Sequence, residues 1–83
     1  METTGFYTTN YTGLAIFWDE DIMTCKREAT KAMKSLGCAD EEFGLYDAEM
    51  CEQVDWAIYP KANAVPIWIY RGREWHTNPE YIY

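Results

Sequence analysis

The chain has 83 residues, 48% of them hydrophobic and 17% aromatic, which is enough to close one small core and leaves no room for a second. Fourteen acids against seven bases leave a net charge of −7, which opposes nucleic-acid binding because phosphate contacts need Lys and Arg; a protein partner with a basic surface is the expected counterpart. No apolar run approaches the roughly 18 residues a bilayer-spanning helix needs. The polar opening Met1-Glu2-Thr3-Thr4 also lacks the basic-then-apolar order of a secretion signal, so no membrane and a cytoplasmic location are expected.

Gly5 to Trp18 is rich in β-branched and aromatic residues and breaks at Asn10 to Gly13. It reads as two extended pieces, of which Leu14-Ala15-Ile16-Phe17-Trp18 is the better strand. Residues 1–13 read as an N-terminal extension, an edge strand or an arm, ahead of a domain over 14–83.

Asp19-Glu20-Asp21 offers a cap and first-turn acids for a helix. Ile22, Cys25, Ala29, Met33 and Leu36 then recur at three- and four-residue steps, predicting one apolar face, and Gly37 ends the helix. Glu42 to Tyr46 is a short strand. Asp47 can cap a second helix carrying Met50, Val54, Ala57 and Ile58 on one side, because Ala48 to Gln53 has helix-forming composition. Val54 to Tyr59 also alternates as a strand would; helix is the preferred reading. Val65 to Tyr70 is an almost fully apolar strand that turns at Arg71-Gly72 into a returning hairpin strand, Arg73-Glu74-Trp75. Strand, helix, strand, helix, strand, strand predicts a mixed sheet with parallel crossovers and helices on its faces.

That order resembles the glutaredoxin branch of the thioredoxin superfamily, most closely the small redoxins that serve class Ib ribonucleotide reductase. Ala15-Ile16-Phe17-Trp18 with Cys25 and its helix, Val65 to Gly72, and Gly72-Arg73-Glu74-Trp75 with Pro79-Glu80-Tyr81-Ile82 carry the likeness. It implies an α/β, thioredoxin-like fold: a mixed four-stranded sheet flanked by helices. It also implies a cis Pro66 that places Val65 opposite Cys25, with Ile22, Val65, Pro66 and Trp75 around a partner-binding site.

Where the family carries Cys-x-x-Cys, this chain reads Ile22-Met23-Thr24-Cys25. The resolving cysteine is kept and the attacking one lost, so dithiol reduction through this site is not expected. Cys25 remains the catalytic candidate, as a single-thiol redoxin that exchanges with glutathione or a redox partner protein. The competing expectation is a redox-inactive binding module with an acidic, aromatic surface over Asp40, Glu41, Glu42, Asp47, Glu49, Glu52 and Asp55. Small acidic phage inhibitors of host defence proteins are similar in size and charge. The cysteines, 13 residues apart, match no zinc spacing, and with His76 the sole histidine no metal is expected. His76 has no nucleophile placed beside it by a motif, and some of the four tryptophans and seven tyrosines must line an exposed patch.

Overall fold

A computed structural model describes residues 1–38 and 40–81. Within them the chain forms β1 (Phe6–Thr9), β2 (Ala15–Asp19), α1 (Ile22–Ser35), β3 (Phe43–Asp47), a 3-10 turn (Ala48–Met50), β4 (Cys51–Val54), β5 (Ala57–Pro60), β6 (Trp68–Arg71) and β7 (Glu74–Thr77). Five strands make one sheet in the order β2-β1-β3-β6-β7, and β4 and β5 make a separate two-stranded sheet. Every pairing is antiparallel.

The helix forms where local signals place it. The Asp21 carboxylate accepts from the Thr24 N–H at 2.8 Å and the Thr24 hydroxyl at 2.9 Å, which holds that carboxyl below its usual range. At the other end Gly37, at φ +75°, closes a Schellman motif: its N–H reaches the Lys34 carbonyl and the Cys38 N–H reaches that of Met33. Cys25, Ala29 and Met33 are buried along one face, as the spacing predicts. Leu36, expected on that face, is exposed at the C-cap.

α1 covers one face of the large sheet. Cys25, Leu45 and Ile67 form a buried cluster with Phe6, Phe17, Ile22, Trp68, Trp75 and Tyr81 around it, and Met33, Phe43 and Tyr70 form its neighbour. Tyr7, alternating with Phe6 and Thr8, points to the other face and packs with Ala48 and Cys51. Ala15, Trp18, Tyr46 and Ile58 surround that third cluster. The β4–β5 hairpin, which supplies Cys51 and Ile58, therefore lies on the face opposite α1.

The thioredoxin-like expectation is overturned: among the described residues seven strands and one α-helix, the strands in two antiparallel sheets, replace a mixed four-stranded sheet flanked by helices. β1 is the reason. It is neither an edge strand nor an arm but lies between β2 and β3 and runs antiparallel to both. The α1 crossover thus joins two strands of the same direction, as expected, but their shared slot is taken by β1.

The predicted second helix is also replaced, by the 3-10 turn and the β4–β5 hairpin. A two-residue turn at Asp55 and Trp56 folds the segment back so that Cys51 and Ile58 reach the same cluster. That burial outweighs a helix propensity worth tenths of a kcal/mol per residue. The last hairpin forms as expected but turns one residue later: Arg71 ends β6, Arg73 belongs to the turn and not to the returning strand, and Gly72 at φ +61° and Arg73 at φ +66° are the two left-handed central residues of a type I′ connection. Its first strand starts at Trp68 rather than Val65, and no described peptide bond is cis, so Pro66 is trans. No described helix is long and apolar enough to cross a membrane.

Candidate functional site

Cys25 sits in the first turn and a half of α1, facing inward. Its residue is fully buried, and its Sγ lies 3.2 Å from the Thr8 hydroxyl and 3.7 Å from the Phe6 carbonyl. Burial pushes the thiol pKa up, against a smaller lowering from the Thr8 hydrogen bond. A nucleophilic cysteine needs an exposed and stabilised thiolate, and this environment supplies neither. Cys51 is likewise buried, its pKa pushed up to about 11 chiefly by burial. All three cysteines are free thiols.

The residues expected around Cys25 are dispersed. Ile22 and Trp75 do pack around its cluster, and the Trp75 indole N–H donates to the Thr30 hydroxyl at 2.8 Å. Pro66 instead lines a hollow of about 200 Å³ with Gly44, Tyr46 and Ile69, residues that alternate with the helix-facing Leu45, Trp68 and Tyr70. Gly44 shapes that hollow, since a Cβ there would come within 3.0 Å of the Tyr46 ring and 3.2 Å of Pro66. Val65 borders a different hollow with Asp47, Glu49, Met50, Glu80 and Tyr81. His76 is exposed at β7, its ring 3.1 Å from the Arg71 carbonyl. Among the described residues no group of three or more His, Cys, Asp or Glu side chains is placed to hold a metal ion.

The acidic surface is divided by its ion pairs. Glu42 receives both Nε and an Nη of Arg71 at 3.0 Å, and Asp40 receives Arg73 Nε at 2.8 Å. These hydrogen bonds hold both carboxyls below their usual range. Two of the seven candidate docking acids are thereby internally paired. Glu52 and Asp55 are not on that side but on the β4–β5 hairpin.

This hairpin is the most exposed apolar feature of the described residues. In its register Glu52 stands opposite Tyr59 and Val54 opposite Ala57, so the outward side of the ribbon carries Glu52, Val54 and Tyr59 together. Val54 and Tyr59 are exposed, and Trp56 in the turn is 84% exposed. Asp55 takes φ +57°, a left-handed conformation that costs a residue with a Cβ roughly 1 kcal/mol, and its carbonyl accepts from the Gln53 amide at 3.0 Å. The N-terminal ammonium also reaches the Gln53 side chain, at 3.3 Å.

Reasoning from the residues missed Val54, Trp56 and Tyr59 as a set. The usable signal was the alternation of Val54 to Tyr59, with Asp55 as a residue that tolerates the left-handed turn. Comparisons with protein families, with curated proteins and with solved structures find no match to this chain.

Proposed function

We propose that this chain is a protein-binding module that docks through the β4–β5 hairpin, with the Trp56 indole as anchor and Glu52 and Asp55 facing basic groups on the partner. The observation that carries this reading is Trp56, held 84% exposed at the tip of a two-residue turn. Leaving so large an apolar side chain in water forfeits roughly 2 kcal/mol or more of burial free energy. Nothing in the fold recovers that amount, whereas a partner pocket would, and Trp is the residue type most enriched among interface anchors. The net charge of −7 adds long-range attraction toward a basic surface.

Three free thiols fit work in a reducing cytoplasm. A thiol-exchange role for Cys25 is not favoured, because its sulfur is buried and its pKa is raised.

The test uses a benzoyl-phenylalanine crosslinker at position 56 in cells, followed by affinity measurement with the captured protein. Trp56→Ala should weaken that affinity about 30-fold or more, as removal of an anchoring aromatic does, while Thr12→Ala in the β1–β2 loop leaves it unchanged. Equal affinity of the wild type and Trp56→Ala overturns the reading.

A further inference from the structure

The positive charge of this acidic protein is gathered in one place. Of its seven bases, Lys26, Arg27, Lys31 and Lys34 lie on α1, Arg71 and Arg73 are tied to Glu42 and Asp40, and Lys61 follows β5. All four α1 bases line one groove of about 370 Å³ with Met23, Thr30 and Trp75. The only acid on α1 is Glu28, whose carboxylate lies 3.7 Å from both Arg27 and Lys31, so the groove keeps a positive excess.

The groove is also equipped for an aromatic ring. Met23 is 60% exposed at one end and offers a thioether, a favoured neighbour of indoles. Cations that have lost part of their hydration bind aromatic faces best. Lys26 already does so within the chain, its ammonium 3.4 Å from the Trp68 ring centre, and burial lowers its pKa. The volume lies within the range of pockets that hold small aromatic ligands, roughly 300–1,000 Å³.

The matching shape is present on the same molecule. The β4–β5 tip offers an exposed indole between carboxylates, and the groove offers a thioether among ammonium and guanidinium groups. Since the hairpin and α1 cover opposite faces of the large sheet, one chain cannot bring its own tip to its own groove. We infer that the hairpin tip of one copy docks in the α1 groove of a second copy, Trp56 against Met23 and Glu52 and Asp55 against Lys31 and Arg27. This rests on Trp56 being an anchor, and it names one partner for it.

Such a contact joins unlike surfaces, so each bound copy leaves a free tip and a free groove and the assembly grows head to tail into rings or open chains. Overall like charge opposes the approach of two copies. At 0.15 M salt the screening length is about 8 Å, which damps that repulsion between whole molecules while leaving contact pairs attractive.

Sedimentation equilibrium on three proteins decides the matter. The wild type should show masses above the 9.8 kDa monomer that rise with concentration. A tip variant, Trp56→Ala, and a groove variant, Met23→Ala with Lys31→Ala, should each remain monomeric. Both alter exposed side chains, and alanine favours the helix. Mixing the two variants leaves one good tip and one good groove, so the mixture should stop at a one-to-one pair of about twice the monomer mass. A wild type that stays monomeric near 1 mM, a tip variant that associates like the wild type, or a mixture that stays monomeric overturns the inference. If the wild type is monomeric while Trp56-dependent capture of a basic protein persists, docking through the hairpin stands and only self-association falls.

Discussion

The molecule contains two antiparallel hairpins of four-residue strands closed by two-residue turns; β4–β5 carries Trp56, and β6–β7 carries Trp68 and Trp75. In β6–β7 the Trp75 ring meets Phe43 and Tyr70 edge-on, at centroid distances of 5.5 and 5.3 Å, and its N–H is bonded to Thr30. In β4–β5 the Trp56 ring meets water. The same local device thus serves the core in one place and the surface in the other. Their turns differ, since Gly72 and Arg73 both take positive φ whereas in Asp55-Trp56 only Asp55 does, but what sets the fate of the ring is whether the ribbon extends a sheet already covered by α1. β6 is paired to β3 and inherits that cover; among the described residues β4 and β5 pair only with each other.

The contrast is broken most decisively by truncating each indole. Trp75→Ala should cost about 3 kcal/mol of stability in urea denaturation, as loss of a packed aromatic does. Trp56→Ala, the smallest effect expected, should change it by less than about 0.5 kcal/mol. Comparable losses would mean that the β4–β5 tip belongs to the core.

Next in size is the alkaline limit. Burial raises the thiol of Cys51 from 9.0 to about 11 and that of Cys25 in the same direction. Between those values the unfolded chain releases protons that the folded one keeps, so stability is complete below about pH 9 and declines as pH rises toward 11. Thermal melts from pH 7 to 11 should show the decline, and Cys51→Ala should flatten part of it. With thiol reagents at neutral pH, half-buried Cys38 should react well before Cys25 and Cys51. Fast labelling of Cys25 in the folded state would contradict its placement under α1.

A smaller effect sharpens the description of the covered side. Tyr70 is buried, stacked on Phe43 at 4.4 Å, and its hydroxyl has no hydrogen-bond partner among the described residues. Tyr70→Phe removes an unsatisfied polar group and keeps the ring, so stability should rise by about 1 kcal/mol in the same urea titration. A loss of that size would show that the hydroxyl is satisfied.

The features legible in the residues were those whose causes are local. The Asp21 cap, the Cys25-Ala29-Met33 spacing and the Gly37 stop specify α1 within one short stretch, and Gly72 marks the last turn, to within one residue. The likeness to redoxins drew on short stretches of the same local kind, and such stretches do not say which strands are neighbours. The candidate site fared similarly: Ile22 and Trp75 do gather around Cys25, but Val65 and Pro66, which precede β6 and lie outside it, border other hollows.

By itself the amino-acid sequence determined the helix, its buried stripe, the closing hairpin and the separation of basic from acidic residues, because each follows from neighbours a few positions apart. Tertiary structure alone decided that β1 enters between β2 and β3, that residues 51–60 form a ribbon instead of a helix, and that Trp56 is left outside. Those outcomes depend on contacts between distant positions, such as Tyr7 with Cys51 and Thr8 with Cys25, whose burial outweighs local preference.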